Sequence, residues 1–176
     1  AVIVDRDANI GSADRIIVNN EHGGYEAAKY LIEQGFTKIG CISGPEGISS
    51  SIRRTEGFKR ALTEYGITLD ETLFYAGDFH YKGGKDAFFH FQRRRNLPEA
   101  VFACNDMMAI GFIHAAAANG VSVPDDVSVI GFDNIELAAV ISPALTTVAQ
   151  PIEEIAEIAT QRLLKRIESR DGEVKR

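Results

Sequence analysis

Short apolar runs alternate with longer amphipathic stretches along almost the whole chain. The apolar runs predict strands, and the stretches between them show the i, i+3, i+4 spacing of helices. The predicted strands are residues 2–4, 15–18, 38–43, 73–76, 101–104, 128–132 and 145–148, and the predicted helices are 21–34, 52–65, 81–94, 107–118 and 152–169. Regular alternation of this kind builds right-handed βαβ units. The sequence therefore predicts an α/β fold with a parallel β-sheet flanked by helices on both faces.

Polar or aromatic side chains follow the carboxyl ends of several predicted strands. Asp5, Phe79, Asn105 and Asp133 occupy such positions, and Arg54 lies near the start of the helix that follows strand 38–43. The carboxyl ends of parallel strands meet at one sheet edge, where open α/β folds bind ligands. Carboxylates, an amide and a guanidinium exchange paired hydrogen bonds with hydroxyl groups, and an aromatic ring offers a flat packing face. Each residue also has a structural explanation, as a helix cap, a turn former or a core residue.

Two groups of arginines lie at opposite ends of predicted helices. Arg53 and Arg54 fall in the first turn of the helix predicted to begin at Ile52, where the helix dipole disfavours cations. A ligand or a carboxylate bound by at least one of them would explain this placement. The run 93–95 closes a helix, where cations are favoured, so a structural role is expected there.

Composition and motif spacing exclude several classes of function. A net charge of −6 argues against a nucleic-acid-binding surface on this chain, and no apolar run approaches the ~20 residues of a membrane span. The glycine-containing segments 44–51 and 84–85 lack the pattern of a phosphate-binding loop. The histidines have no metal-ligand spacing, and no catalytic nucleophile motif is present, so neither an enzyme nor a bound cofactor is expected. Cys41 and Cys104 lie inside predicted strands as core residues, which fits a reducing compartment.

Three motifs in close succession carry a family resemblance. They are N-D-x-M-A-x-G at 105–111, V-P-x-D-V-S-V-I-G-F-D-N at 123–134 and P-A-L-T-T-V-x-Q-P at 143–151. In this order they resemble the effector-binding domain of the lactose/galactose repressor (LacI/GalR) family of bacterial transcription regulators, and the likeness extends over essentially the whole chain. The resemblance implies a periplasmic-binding-protein-like fold with a Rossmann-like subdomain. It also implies that a small-molecule effector is bound in a cleft between two subdomains.

The resemblance assigns roles to individual positions. In the family, the arginine of an R-x-x-G motif, here residues 54–57, binds the effector. The aromatic residue of a G-D-F motif, here residues 77–79, stacks on it. The positions matched to effector contacts are Asp5, Arg6, Ser50, Arg54, Phe79, Asn105 and Asp133. Purine-repressor members carry a further arginine where this chain has Ile48, so the resemblance favours a carbohydrate effector over a purine.

The resemblance also predicts the organisation of the chain. Residues 1–14 match the last strand of the N-terminal subdomain and a crossover, 15–144 the C-terminal effector-binding subdomain, and 145–176 a return crossover and a helix of the N-terminal subdomain. No part matches the family's helix-turn-helix domain, so the chain is interpreted as a fragment of a cytoplasmic homodimeric repressor that contacts operator DNA through a domain outside it. The alternative is a sugar-binding receptor of a transport system with the same fold.

Overall fold

A computed structural model describes residues 1–5 and 13–174, with side chains up to residue 169. Arg6 lies outside these residues. The helices and strands are β1 (Val2–Val4), β2 (Asp14–Ile16), α1 (Asn20–Glu33), β3 (Ile39–Ser43), α2 (Ser49–Glu64), β4 (Phe74–Ala76), α3 (Tyr81–Arg93), β5 (Ala100–Ala103), α4 (Asp106–Ala118), β6 (Ser128–Asp133), α5 (Glu136–Val140), β7 (Thr146–Ala149) and α6 (Ile152–Val174). The contacts divide the chain into a large unit, 20–149, and a small unit formed by 1–19 and 150–176.

The large unit is built on a five-stranded sheet in the order β4-β3-β5-β6-β7, and every neighbouring pair is parallel. Helices α1 and α2 pack against each other, as do α3 and α4. This confirms the predicted parallel sheet flanked by helices. The chain leaves β3 toward β4 and then returns across β3 to β5. The carboxyl ends of β3 and β5 therefore border the crevice in which folds of this type hold ligands.

Aromatic side chains fill the core between the sheet and its helices. Phe58 of α2 and Phe102 of β5 are fully buried and stack with their ring centroids 5.7 Å apart. On the other pair of helices, Phe88 and Phe112 meet edge to face at 5.5 Å. Burying one such ring contributes about 1.5–3 kcal/mol to stability. The cysteines Cys41 and Cys104 are buried in the same core, as predicted.

Glycines allow both helix pairs to pack at very short range. A Cβ atom on Gly57 would lie 1.8 Å from the carbonyl oxygen of Glu21 in α1, and one on Gly84 would lie 1.8 Å from that of Met108 in α4. No side chain tolerates such a distance. The α1–α2 and α3–α4 crossings therefore depend on glycine at these positions.

The start of α2 differs from the prediction. The helix begins at Ser49 rather than Ile52, because serines are readily accepted in a first helical turn. Arg53 and Arg54 consequently lie beyond the first turn, and the dipole argument applied to them was wrong. Arg53 is exposed and pairs with Glu56 at 3.1 Å, whereas Arg54 is buried. Their different roles are decided by the face of the helix that each occupies.

The small unit consists of β1, β2 and α6. Strands β1 and β2 are parallel, with Val2 opposite Asp14, so β2 pairs within this unit. The Asp14 carboxylate accepts a hydrogen bond from Arg166 of α6 at 3.2 Å.

The apolar spacing of residues 152–169 predicts a helix, and the structure has this helix as α6, but its apolar side chains are largely exposed. The side chains of Ile158, Leu163, Leu164 and Ile167 are 37–53% exposed. A helix buries its apolar stripe only where another layer covers it, and within the described small unit two short strands supply that layer. No helix in the described part of the chain has the length and apolar character needed to cross a membrane.

Candidate functional site

A buried guanidinium lies at the centre of the carboxyl edge of the large unit. Arg54 is 2% exposed, and its Nε donates to the side-chain oxygen of Asn20 at 2.7 Å. Its Nη1 donates to the carbonyl oxygen of Cys104 at 2.7 Å and to the Asp133 carboxylate at 3.2 Å. The guanidinium carbon lies 3.7 Å from the centroid of the Phe132 ring. We refer to Asn20, Arg54, Cys104, Phe132 and Asp133 as the Arg54 cluster.

Four separate elements hold the Arg54 cluster in place. Asn20 opens α1, Arg54 lies in α2, Cys104 follows β5, and Phe132 and Asp133 end β6. The α1 backbone can approach because Gly24 has no side chain, and a Cβ atom there would lie 2.0 Å from the Arg54 carbonyl oxygen. The cation is thus fixed by the fold before any ligand arrives. The positive charge of Arg54 is paired with the carboxylate of Asp133, whose side chain is 25% exposed.

Asp106 fixes the turn that carries Asp133. Its buried carboxylate accepts hydrogen bonds from the Ile135 backbone N–H at 2.9 Å and from the Thr147 hydroxyl at 2.5 Å. The side chain occupies the space left by Gly131, where a Cβ atom would lie 2.2 Å from Asp106 Oδ1. Burial raises the pKa of Asp106 above 3.8, although the hydrogen bonds from Thr147 and the backbone oppose this rise.

The raised pKa of Asp106 predicts a specific pH dependence. The folded state binds this proton more tightly than the unfolded state, so the contribution of Asp106 to stability is greatest below pH 3.8 and falls as pH rises through the folded pKa. Urea unfolding of the wild type and of Asp106→Asn across this range should show the wild type losing stability relative to the variant as pH increases. A difference that stays constant, or that grows in favour of the wild type, would contradict the assignment.

Asn105 and Phe79 are in direct contact. The Asn105 side-chain oxygen accepts from the Met108 backbone N–H at 3.0 Å, which caps α4 as predicted, and its Nδ2 donates to the Phe79 carbonyl oxygen at 2.8 Å. Phe79 has a φ of 64°, and its half-buried ring lies directly over Gly44, at the end of β3. Both polar atoms of the Asn105 amide have protein partners. Its ligand-binding role stays a prediction.

The remaining predicted site residues described by the structure are not part of the Arg54 cluster. Ser50 is buried in the first turn of α2, two residues after Ile48, the N-cap residue of that helix. Asp5 lies in the small unit with a φ of 54°, and its backbone N–H donates to the Ile16 carbonyl oxygen at 2.9 Å. The large unit therefore brings together Arg54 with Asp133, and Asn105 with Phe79.

Sequence reasoning missed three residues of this region. Neither Asn20 nor Asp106 was predicted to be a site residue, and Phe132 was predicted only as the last residue of strand 128–132. Asn20 and Arg54 are 34 positions apart, and local sequence contains no signal that joins them. The G-F-D motif places Phe132 directly before the predicted site residue Asp133, and this was the local signal from which Phe132 could have been predicted.

A cavity of about 300 Å³ lies at the opposite end of the same sheet. Its walls include Leu31, Phe36, Ile113, Val129 and Leu145. None of the described residues that line this cavity is charged, so it contains no ion pair like that of Arg54 and Asp133. Among the residues that the structure describes, no group of three or more His, Cys, Asp or Glu side chains is arranged to hold a metal ion.

Comparison with known families agrees with this architecture. Residues 28–176 match the periplasmic binding protein-like domain. The chain belongs to the periplasmic binding protein-like domain family. This membership and the parallel sheet confirm the predicted periplasmic-binding-protein-like fold.

Curated proteins similar to this chain are transcriptional regulators. The HTH-type transcriptional repressor PurR of Vibrio atlanticus (strain LGP32) is 44% identical over 172 residues, which are 98% of this chain and 52% of PurR. The chain thus spans about half the length of the curated relatives it matches. These matches confirm the LacI/GalR resemblance and agree with the expectation that the chain is not an enzyme.

Solved LacI-type structures are similar to this chain over nearly all of its length. The transcriptional regulator CelR in complex with cellobiose superposes with a TM-score of 0.89 at 32% identity, covering 96% of this chain and 52% of CelR. A LacI-family regulator from Enterococcus faecium with bound ribose gives a TM-score of 0.87 at 32% identity. The match covers 95% of this chain and 62% of the regulator. The matched proteins are regulators, so the transport-receptor alternative is not favoured.

Proposed function

We propose that this chain is the effector-sensing part of a LacI-family transcriptional repressor and that its effector is a sugar or a similar uncharged polyhydroxy ring. The observation that carries this proposal is the Arg54 cluster. A buried cation, paired with Asp133 and stacked on Phe132, lies at the sheet edge where α/β folds bind ligands. The proposed ligand-binding residues remain Asp5, Arg6, Ser50, Arg54, Phe79, Asn105 and Asp133.

The charge balance of the site favours an uncharged effector. The guanidinium of Arg54 and the carboxylate of Asp133 are 3.2 Å apart and together carry no net charge. Hydroxyl groups can donate to the carboxylate and accept from the guanidinium, and this exchange needs no ionic partner on the ligand. The half-buried ring of Phe79 adds a flat surface for the face of a sugar. The relatives solved with cellobiose and ribose support this choice of ligand class.

A purine base is the second candidate. The specific observation in its favour is the 44% identity to a repressor named PurR. A purine would also stack on Phe79 and exchange hydrogen bonds with Asp133. Against it stands Ile48, an apolar residue where purine-repressor members carry an arginine. The half-buried Ile48 caps α2 through its backbone alone, without a side-chain hydrogen bond.

The proposal extends to the whole regulator. Residues 1–19 and 150–176, the small unit, would belong to a second, N-terminal subdomain. These bounds replace the expected 1–14 and 145–176, because β2 pairs with β1 and β7 pairs with β6. The exposed apolar residues of α6 support a larger partner layer for that part of the chain. A separate domain would contact operator DNA, and a homodimer in the cytoplasm would be the acting form. Effector binding would then change operator affinity through a coupling free energy between two sites.

A ligand panel tests the proposed function directly. The wild type, Asp133→Ala and the surface control Asp86→Ala are screened by thermal shift with pentoses, hexoses, disaccharides and purine bases. A ligand that binds only the folded state with a Kd of ~1 mM adds about 1.4 kcal/mol to stability at ~10 mM. We expect a sugar to stabilise the wild type and the control, and Asp133→Ala to lose this effect.

The other outcomes of the panel are equally informative. Stabilisation by purine bases alone would replace the sugar proposal with the second candidate. Stabilisation by sugars that survives in Asp133→Ala would move the site away from the Arg54 cluster. A wild type that responds to no compound in the panel would contradict small-molecule sensing by this chain.

A further inference from the structure

Asn20 occupies one edge of the Arg54 guanidinium. The side-chain oxygen of Asn20 accepts a hydrogen bond from Nε of Arg54, with 2.7 Å between the nitrogen and the oxygen, and Asn20 is only 4% exposed. The hydrogens of Nη1 are directed to the Cys104 carbonyl oxygen and to Asp133. Within the described residues, Nη2 is the guanidinium nitrogen that has no protein acceptor. A ligand in this site therefore meets one nitrogen of the guanidinium.

This arrangement has a consequence for ligand charge. Carboxylates and phosphates bind arginine most strongly through two parallel hydrogen bonds, one from each of two nitrogens on the same edge. The edge formed by Nη1 and Nη2 is blocked by Cys104 and Asp133, and the edge formed by Nε and Nη2 is blocked by Asn20. A neutral hydroxyl or carbonyl oxygen needs one donor and loses nothing by this restriction.

We propose that Asn20 is a specificity-determining residue, which holds Nε of Arg54 so that the site accepts neutral polar ligands and discriminates against anions. The inference rests on the proposed function, because it assumes that the Arg54 cluster binds a ligand. Asn20 acts through Arg54 and is thus a positioning residue. Its neutral amide matters as well as its position, since a carboxylate there would hold Nε equally but would add a negative charge beside the site.

The chain allows a pair of variants with opposite expected effects. Asn20→Ala frees Nε and opens the Nε–Nη2 edge to a phosphate or carboxylate. Asn20→Asp keeps an acceptor for Nε and repels anions. Asn119→Ala is the matched control, because Asn119 also bonds within the protein, donating to the Ala115 carbonyl oxygen at 2.8 Å, but ends α4 outside the Arg54 cluster.

The measurement is the ratio of affinities for ribose 5-phosphate and ribose, obtained by calorimetric titration, with inorganic phosphate as a further anionic probe. We expect the ratio to rise about tenfold in Asn20→Ala, the equivalent of one charge-assisted hydrogen bond, and to fall below the wild-type value in Asn20→Asp. Asn119→Ala should leave it unchanged. Equal weakening of both ligands in Asn20→Ala, or a change of the ratio in the same direction in both variants, would overturn the proposal.

A second measurement separates this inference from the proposed function. The Nε–H of Arg54 can be followed by ¹⁵N NMR on the protein without ligand. It should exchange slowly with water in the wild type and in Asn20→Asp, and rapidly in Asn20→Ala. Slow exchange in Asn20→Ala would overturn the positioning role whichever ligand binds. Rapid exchange there, together with a wild type that binds no ribose, would support the positioning role while the sugar proposal fails.

Discussion

Arg54→Met is expected to weaken effector binding by about 100-fold, the loss of one strong charged hydrogen bond together with the ordered site around it. Methionine keeps much of the apolar volume of the side chain but none of its donors. It would leave Asn20, the Cys104 carbonyl oxygen and Asp133 without the guanidinium that they share. Because Asp133 is partly exposed, we expect a loss of about 2–3 kcal/mol in stability rather than the full cost of a deeply buried unpaired charge.

The neighbouring residue provides the control for this experiment. Arg53→Met removes a guanidinium that is 58% exposed and pairs with Glu56 on the helix surface. Binding should stay within about twofold of the wild type and stability within about 0.5 kcal/mol, as for most exposed ion pairs. Titration with the effector and urea unfolding measure both quantities. If Arg53→Met impaired binding as strongly as Arg54→Met, the Arg54 cluster would not be the recognition site.

Gly84→Ala is expected to destabilise the large unit by about 3 kcal/mol, at the upper end of the usual cost of overpacking. The added Cβ atom would lie 1.8 Å from the Met108 carbonyl oxygen, a backbone atom of α4 that cannot rotate away. Helices α3 and α4 would have to separate. Asn105, which caps α4, and Asp106 in its first turn would then shift with it, so binding should weaken together with stability.

Gly120→Ala separates this steric effect from backbone strain. Gly120 has a φ of 75°, and an added Cβ atom would meet nothing within 4 Å. Its cost should be about 1 kcal/mol, that of a left-handed conformation alone. Urea unfolding of both variants gives the comparison. Equal losses in Gly84→Ala and Gly120→Ala would show that the α3–α4 crossing tolerates a side chain.

Adjacent residues of one motif have separate functions in this protein. In N-D-x-M-A-x-G, Asn105 ties the start of α4 to the Phe79 backbone, while Asp106 reaches the turn after β6 and Thr147 of β7. The motif thus joins three of the connections that border the carboxyl edge. Its second residue supports the turn that positions Asp133, which explains how a residue without a proposed ligand contact would still influence binding.

The periodicity of apolar residues by itself determined most of the fold. Strand and helix alternation predicted the parallel sheet, because each buried strand is a short apolar run and each helix carries its own apolar stripe. Strand ends also predicted that Phe79, Asn105 and Asp133 lie at one edge of the five-stranded sheet, since parallel strands all end on the same side. Asp5 does not lie at that edge, because it follows β1 of the separate two-stranded sheet. The cysteines were placed correctly in the core for the same reason, as residues inside apolar runs.

The tertiary structure decided what periodicity could not. Asn20 pairs with Arg54, Arg54 stacks on Phe132, and Asp106 bonds to Thr147. The members of these pairs come from different elements and are 34, 78 and 41 positions apart. The choice between Arg53 and Arg54 depended on helix rotation, and the exposure of the α6 face depended on which layers are present to cover it. The local pattern of apolar and polar residues indicates whether a side chain is buried or exposed. Which residues it contacts depends on the sheet order β4-β3-β5-β6-β7, which brings distant parts of the chain together.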